Sequence, residues 1–389
     1  MDRETMIKVA VFTGNRSEYG LLRKLIKEIE DDHRFKLQLI VSGGHLSNDQ
    51  GKTINEIEAD GVIPAALIRL SMDGEPPPTM ACLTGEALSG VGKTLESLDP
   101  KFLIVLGDRY ETFAAAAAAH LQGVKVVHLH GGETTEGALD EKLRHAITQL
   151  GTWHFTAAEE YRERVIRMGH SPENVFNVGP MAIDQLREVE EISRHDFEAL
   201  TGYTFGKKNL LVTYHSETLS EDKGAKGCDA LLKALERVDC NILFTHPNPD
   251  DGGRLILSRI EEFSRLNPRE RTIVPSLGAS LYIPALYLFD CMVGNSSSGI
   301  IEAPLTGLPV VNIGDRQRGR LRYGPVLDAS TDLDDIALKI HACLDIDRQA
   351  SRDVSTERLK SPATEIMHWL ITETMPIKAL DFKPRNLPK

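Results

Sequence analysis

The sequence predicts an α/β protein with two Rossmann-like domains that face each other across a central cleft. Short, continuously apolar runs alternate with amphipathic helical stretches, a pattern typical of parallel sheets covered by helices on both faces. The alternation pauses near the middle of the chain and then restarts. A chain of 389 residues is also too long for one ordinary core and long enough for two.

The first series of elements is assigned to residues 1–181, the N-terminal domain. Residues 7–13 form a predicted buried strand, and residues 18–30 a predicted helix whose apolar positions recur at helical spacing. Further strands are predicted at 35–42, 101–107, 125–130 and 153–156. Their continuous apolar character predicts that they form one parallel sheet.

The second series is assigned to residues 182–362, the C-terminal domain, and opens with a long charged helix predicted at 182–200. Strands are then predicted at 209–214, 241–246, 290–294 and 310–313, and helices at 223–237, 281–288 and 299–305. A last helix, 363–374, is predicted to pack back on the first domain together with the rest of residues 363–389.

Composition restricts the class of partner. A formal net charge of −12 disfavours nucleic acid and anionic membranes. The five cysteines are scattered without a CxxC pair, which favours buried reduced thiols over a disulfide framework or a zinc site. No apolar run approaches the roughly 18 residues needed to span a bilayer, and the opening residues MDRETMIK do not resemble a signal peptide. We therefore expect a cytoplasmic protein.

Candidate binding residues follow the strands, because open α/β sheets bind ligands beyond the carboxyl ends of their strands. The run TGNRSE after the first strand supplies a glycine for a tight turn, a helix N-terminus and Arg16, which can bind a phosphate bidentately. This run is not GxGxxG, and no acidic residue ends the second strand. The sequence therefore does not support NAD as a cofactor.

Carboxylates and histidines follow the later strands of the first domain. Asp108 comes directly after an apolar run, where it is either a helix cap or a site residue. The run HLHGGETTEG brings His130 and Glu133 together. Its two histidines would share a strand face with no clear third ligand, so acid–base chemistry is favoured over a metal site. Asp140 and Arg144 share a helix face, either as site residues or as an exposed ion pair.

Polar residues also follow the strands of the second domain. His215 comes after an apolar strand and has a serine and a glutamate beside it. Asn248 lies in a polar turn after the next strand. Ser296 and Ser297 precede a predicted helix that carries Glu302. Hydroxyls and amides at a helix start bind anions, and a nearby carboxylate can accept hydrogen bonds from ribose, so phosphate and sugar recognition is predicted here.

The order and spacing of five runs carry a family resemblance. The runs are TGNRSEYG, VLGDRYET, HLHGGETTEGALDEKLRH, THPNPDDGGR and GNSSSGIIEAPLTGLPVVNIGDRQRGR. Together they resemble the hydrolysing UDP-N-acetylglucosamine 2-epimerases of sialic-acid pathways, over almost the whole chain. The resemblance implies a glycosyltransferase-B-type fold with UDP held mainly by the C-terminal domain. It also implies conversion of UDP-N-acetylglucosamine and water to N-acetylmannosamine and UDP, without a cofactor, in a homodimer or homotetramer.

The resemblance assigns roles by position. It makes Asp108, Glu133 and Asp140 the candidate acid–base carboxylates, and His215 a catalytic or diphosphate-contacting histidine. The residues predicted to bind substrate are Arg16 near the diphosphate, Ser296 and Ser297 on phosphate, Glu302 on ribose, Arg320 near the UDP, and His130, Arg144 and Asn248.

Several alternatives remain open on sequence grounds. The non-hydrolysing epimerases show EAGLRT where this chain has HGGETT, which favours the hydrolysing branch and leaves the transfer of carboxylate roles open there. The same reaction on UDP-N,N′-diacetylbacillosamine, toward legionaminic acid, is a second alternative. A glycosyltransferase and a non-enzymatic UDP-sugar-binding protein are further ones, and the number of carboxylates argues against the last.

Overall fold

A computed structural model describes residues 6–47, 52–72, 78–136, 139–217, 220–248, 252–348 and 360–374. It contains one sheet of seven strands and one of six, and every pairing between strands is parallel. The predicted fold class, two Rossmann-like units around a cleft, is confirmed. Within the described ranges, no helix is long and apolar enough to cross a membrane.

The first sheet has the strand order β3-β2-β1-β4-β5-β6-β7. Its strands are β1 (Ile7–Thr13), β2 (Phe35–Ser42), β3 (Ala66–Ile68), β4 (Phe102–Leu106), β5 (Lys125–Leu129), β6 (Trp153–Thr156) and β7 (Val175–Asn177). The helices are α1 (Arg16–Asp31), α2 (Ile54–Ala59), α3 (Met80–Leu98), α4 (Tyr110–Leu121), α5 (Asp140–Leu150) and α6 (Glu159–Arg167).

Apolar side chains cover both faces of this sheet. Successive residues of a strand point to opposite faces. Val9 and Val11 of β1 therefore pack in the cluster that includes α1, whereas Ala10 and Phe12 pack in the cluster that includes α3 and α4. Burial on both faces explains why the strands are continuously apolar in sequence.

The second sheet has the strand order β10-β9-β8-β11-β12-β13. Its strands are β8 (Asn209–Thr213), β9 (Asn241–Thr245), β10 (Arg271–Val274), β11 (Cys291–Gly294), β12 (Val310–Ile313) and β13 (Val326–Ala329). The accompanying helices are α7 (Ala182–Arg187), α8 (Arg194–Thr201), α9 (Ala225–Leu235), α10 (Gly253–Arg265), α11 (Gly278–Leu288), α12 (Glu302–Leu305) and α13 (Leu333–Leu344), and α14 (Pro362–Thr374) is the last described helix.

The prediction of a single charged helix at 182–200 is wrong, because the structure divides this stretch into α7 and α8. Val189 and Ile192, between the two helices, pack against the apolar cluster of the second sheet. Ser193 then caps α8, since its hydroxyl accepts a hydrogen bond from the Asp196 amide at 3.1 Å. A serine cap marks the start of a new helix, so α7 does not continue into α8 as one helix.

One expectation about the cysteines also needs correction. The structure has five free cysteines, of which four are buried and Cys82 is exposed. Cys82 lies in the first turn of α3, where the Thr79 hydroxyl accepts a hydrogen bond from its amide. The first residues of α3 are exposed, so the prediction of a buried thiol is wrong for Cys82.

Helix α14 lies against the first sheet. The indole of Trp369 packs edge-on against the rings of Phe102, Trp153 and Phe155, with centroids 5.8, 5.1 and 5.2 Å away. The chain thus returns to its N-terminal half after completing the second sheet. The domain limits at 181 and 362 stay a prediction.

Replacing Trp369 with alanine should lower the free energy of unfolding by about 3–5 kcal/mol, because it removes a buried aromatic ring from its contacts with four neighbouring rings. Chemical denaturation measures the loss. The matched control is His368→Ala on the exposed face of the same helix, which should change stability by less than about 0.5 kcal/mol. Equal denaturation midpoints for the two variants would contradict the packing described for α14.

Candidate active site

The carboxyl ends of the strands in both sheets line one cleft, whose cavity volume is about 380 Å³. Volumes of about 300–1,000 Å³ are typical of small-molecule sites. The first sheet contributes the turns after β1, β4 and β5, and the second sheet those after β8, β9, β10, β11 and β12. The predicted site residues that line the cleft are Arg16, Asp108, His130, Glu133, Arg144, His215, Asn248, Ser296, Ser297, Glu302 and Arg320.

Asp140 is the predicted site residue that does not line the cleft. It is the first residue of α5, where a carboxylate stabilises the positive end of the helix dipole. Its neighbour Glu141 has its Oε2 3.0 Å from Arg144 Nη1. The acid–base role of Asp140 stays a prediction.

A buried arginine organises the first-sheet side of the cleft. Arg144 Nη1 donates to the Glu133 carbonyl oxygen at 3.0 Å and to Glu141 Oε2 at 3.0 Å. Its Nη2 donates to Thr135 Oγ1 at 2.9 Å and to Asp108 Oδ2. The Arg144 side chain is 1 % exposed, so these partners replace its hydration.

This geometry favours a positioning role for Arg144 over the predicted substrate contact. Protein acceptors occupy both terminal nitrogens of the guanidinium, which leaves them little capacity for a ligand. The same bonds fix the Asp108 carboxylate and the Glu133 backbone relative to each other. Two candidate catalytic groups from different strands are thereby oriented by one side chain.

The Glu133 carboxylate is buried but strongly ionised. Burial by itself would raise its pKa, but Arg320, His130 and Arg144 outweigh burial and lower the pKa to about 2. Arg320 Nη2, from the second domain, lies 3.5 Å from Glu133 Oε2. At neutral pH this group is therefore a carboxylate, which suits a base or an electrostatic role.

His130 has a strained backbone at the end of β5. Its φ is +62°, a left-handed conformation that costs a non-glycine residue about 1–3 kcal/mol. The strain directs its ring between two partners, because Nε2 accepts a hydrogen bond from the Met181 amide at 3.0 Å and Nδ1 lies 3.0 Å from Glu133 Oε1. An acceptor Nε2 requires the hydrogen of the neutral ring to be on Nδ1, facing Glu133.

His215, on the second-sheet side of the cleft, accepts a hydrogen bond at the other ring nitrogen from the one that His130 uses. Its backbone amide and carbonyl bond the Asn295 side chain at 2.7 and 2.9 Å, and its Nδ1 accepts from the Asn248 amide at 3.0 Å. Burial, and then the charge of Arg316, lower the pKa of His215 well below its usual range. The ring is therefore neutral with its hydrogen on Nε2, which makes it a hydrogen-bond donor to a ligand in the cleft.

The segment 296–299 after β11, the serine turn, is wound more tightly than the predicted α-helix. The helix predicted at 299–305 is instead a 3-10 turn at Ser297–Gly299 followed by the short α12. The Ser298 hydroxyl hydrogen-bonds the Tyr282 hydroxyl. Glu302 begins α12 at the cleft wall, and burial raises its pKa. Hydroxyls, amides and a carboxyl thus converge at this end of the cleft.

The connection between β12 and β13 joins the second sheet to the first. The Arg318 carbonyl accepts a hydrogen bond from the Glu136 amide at 3.1 Å. The Leu321 amide donates to the Tyr161 hydroxyl at 3.0 Å. Arg320 lies between these two contacts and reaches Glu133 from this connection. A residue of the second domain therefore completes the environment of a carboxylate in the first.

Several groups that line the cleft have no role in the sequence prediction. Pro275 follows β10, a four-residue strand that the sequence does not predict, and Tyr282 lies in α11, which is predicted at 281–288 only as a helix. Glu18 lies within a quoted run without a predicted role of its own; its side chain is buried, and its Oε2 accepts a hydrogen bond from the Gly14 amide in the turn that carries Arg16. Among the described residues, no group of three or more His, Cys, Asp or Glu side chains is arranged to hold a metal.

Two parallel α/β units with polar turns facing one cleft define a glycosyltransferase-B-type architecture. The chain belongs to the UDP-N-acetylglucosamine 2-epimerase family, which it matches over residues 27–360. It is 34% identical to a GDP/UDP-N,N′-diacetylbacillosamine 2-epimerase (hydrolyzing) of Campylobacter jejuni over 86% of this chain and 88% of that protein. It is 36% identical to a UDP-N,N′-diacetylbacillosamine 2-epimerase (hydrolyzing) of Legionella pneumophila, over 87% and 89%.

A solved structure extends the comparison of the fold. The crystal structure of UDP-GlcNAc 2-epimerase from Neisseria meningitidis bound to UDP-GlcNAc has a TM-score of 0.73 against this chain at 17% identity. The superposition covers 94% of this chain and 100% of the other. The fold is therefore shared across nearly the whole length. The resemblance to the hydrolysing family is confirmed by the sequence matches.

Replacing Arg144 with methionine should lower the free energy of unfolding by about 3–5 kcal/mol, because it leaves buried carboxylate and carbonyl oxygens without their donor. The control is Arg237→Met, which removes an exposed ion pair with Asp334 and should cost less than about 1 kcal/mol. Denaturant titration of both variants measures the difference. Similar losses would show that the buried network contributes no more than a surface pair.

Proposed function

We propose that this protein is a hydrolysing 2-epimerase that converts a UDP-linked 2-acetamido sugar and water into UDP and the free sugar inverted at carbon 2. One observation carries the proposal. The first sheet presents Asp108 and Glu133 to the same cleft into which the second sheet presents His215 and the serine turn. Acid–base groups and anion-binding groups thus face each other across a space of small-ligand size.

The second-sheet side of the cleft and the start of α1 are the proposed diphosphate site. Arg16 begins a helix of 16 residues, whose N-terminus favours an anion. His215 offers its Nε2 hydrogen without carrying a charge of its own. Ser296 and Ser297 add hydroxyls at the 3-10 turn. These donors would stabilise the negative charge that develops on UDP as it leaves.

The reaction we propose is an elimination followed by hydration. A carboxylate removes the proton at carbon 2 while the bond from carbon 1 to the UDP oxygen breaks, which gives UDP and an unsaturated sugar. Water then adds its oxygen to carbon 1, and a proton returns to the opposite face of carbon 2. Asp108 and Glu133 are the predicted acid–base carboxylates that line the cleft, and the ionised state of Glu133 suits removal or electrostatic control of a proton.

Two UDP-sugars are candidate substrates. The sequence resemblance favours UDP-N-acetylglucosamine. The two relatives at 34% and 36% identity have names that specify N,N′-diacetylbacillosamine, and this supports that sugar as the first substrate to test. The two differ in the number of acetamido groups, so turnover of each under the same conditions separates them. The homodimer or homotetramer stays a prediction.

The test is incubation with each UDP-sugar in deuterated water. Free UDP together with a free 2-epimer labelled at carbon 2 is the expected result. An intact UDP-linked 2-epimer would instead indicate the non-hydrolysing reaction, and UDP release that depends on an added acceptor would indicate a glycosyltransferase. Binding without turnover of either sugar would contradict the enzymatic proposal.

Replacing Asp108 with asparagine should lower kcat by a factor of about 10²–10⁴, because the amide cannot exchange a proton with the sugar. The matched control is Asp99→Asn, the same substitution at a side chain that is 88% exposed, and it should keep full activity. UDP release is measured for both. Unimpaired turnover by Asp108→Asn would exclude that carboxylate from the chemistry.

A further inference from the structure

Asn295, between the end of β11 and the serine turn, is a buried side chain that the proposed reaction does not use. It is 0% exposed and is not one of the residues that line the cleft. Its Oδ1 accepts a hydrogen bond from the His215 amide at 2.7 Å, and its Nδ2 donates one to the His215 carbonyl oxygen at 2.9 Å. One carboxamide therefore binds both backbone groups of a candidate catalytic histidine.

This carboxamide continues the pairing of β8 with β11 past the end of the sheet. The last paired residues of the two strands are Thr213 and Gly294, and the Asn295 amide donates to the Thr213 carbonyl oxygen at 3.2 Å. Beyond this point the chain after β11 enters the 3-10 turn. A carboxamide has the same donor and acceptor as a peptide group, so the Asn295 side chain supplies the partners that a further strand residue would have given His215.

Gly294 allows the two strands to approach closely enough for this bridge. Its φ is +142°, and a Cβ at this position would lie 1.9 Å from the Thr213 carbonyl oxygen. No residue with a side chain fits there unless one strand moves away from the other. The glycine thus brings Asn295 within reach of His215.

The backbone of Asn295 is fixed from another side by the connection between β12 and β13. Its carbonyl oxygen accepts hydrogen bonds from Arg316 Nη1 at 3.1 Å and from Gln317 Nε2 at 3.0 Å. The Gln317 side chain is itself buried. Asn295 is therefore a well-anchored support for His215, and the anchor comes from the same connection that carries Arg320.

The ring of His215 is held separately from its backbone. Its Nδ1 accepts a hydrogen bond from the Asn248 amide at 3.0 Å, which leaves the hydrogen of the neutral ring on Nε2. The direction of that hydrogen depends on both anchors, because the ring rotates about bonds that begin at the His215 backbone. A shift of the backbone would move Nε2 or break the bond at Nδ1.

We propose that Asn295 is a positioning residue for His215. It holds the His215 backbone at the place from which the Nε2 hydrogen meets the diphosphate, and it acts on the ligand only through that ring. The inference rests on the proposed function for the identity of the anion. Ser296, the next residue along the chain, would contact the phosphate itself, whereas Asn295 contacts protein groups.

Asn209, at the opposite end of β8, makes the same kind of bridge away from the cleft. Its Oδ1 accepts a hydrogen bond from the Gly206 amide at 2.8 Å, and its Nδ2 donates one to the Gly206 carbonyl oxygen at 3.2 Å. It is 1% exposed. If the bridge from Asn295 only stabilised the fold, the two asparagines would be equivalent with respect to ligand binding.

Calorimetric titration of the full chain with UDP tests the inference. Asn295→Leu, a substitution of similar volume, removes both bonds to His215 and should weaken UDP binding by about ten- to a hundredfold, the range for losing a hydrogen bond to a charged group. Asn209→Leu is the matched control and should keep the wild-type affinity. Circular dichroism checks the fold of each variant. Asn295→Ser, whose side chain is too short to bridge both backbone groups, is the milder change that decides the question if Asn295→Leu does not fold.

The same substitution in a His215→Phe background shows whether Asn295 acts through the histidine. Phenylalanine keeps a ring but has no Nε2 hydrogen to offer. Asn295→Leu should then change UDP affinity by less than about twofold, because the group that Asn295 positions is already absent. A loss transmitted through Ser296 and the serine turn would instead be the same in both backgrounds.

Three results would overturn the positioning role while leaving the proposed function intact. They are wild-type UDP affinity in a folded Asn295 variant, an equal loss of affinity in Asn209→Leu, and an equal loss with and without the His215 imidazole. Absence of UDP binding by the wild type would overturn both the positioning role and the proposed function.

Discussion

The bond between Arg144 and Asp108 is the interaction on which the site depends. One guanidinium, buried beneath the cleft, contacts an acidic residue from the turn after β4 and the backbone of the loop after β5. Without it, the Asp108 carboxylate oxygen and the Glu133 carbonyl oxygen would lose their hydrogen-bond donor. The planar guanidinium holds these two segments at a fixed separation.

Each domain contributes one histidine to the cleft, and the two histidines accept hydrogen bonds at different ring nitrogens. In the first domain His130 accepts at Nε2, and in the second His215 accepts at Nδ1. Each is neutral when these bonds are made, but they present their hydrogens from different ring nitrogens. One hydrogen faces the Glu133 carboxylate and the other is available to a ligand. The backbone amides of Met181 and Asn248, rather than side chains, determine which ring nitrogen of each histidine carries its hydrogen.

Much of the fold could be predicted because buried parallel strands are continuously apolar. The strand Ile7–Thr13 has the limits that the sequence predicts, whereas β10 and β13 are four residues long and partly polar, too weak a signal to separate from a loop. The cleft-lining positions of the strand-end residues follow from topology. The burial of Arg144 and Glu18 could not be predicted, since a charged residue on an amphipathic helix has the same local pattern whether it faces water or a site.

The hydrogen bond from the Met181 amide ties His130, beside Glu133, to the segment that leads from the first sheet toward the second. Pro180 has no amide hydrogen, so the donor in this segment is the residue that follows it. The same stretch of chain that connects the two halves of the molecule therefore also holds a ring of the site in its orientation.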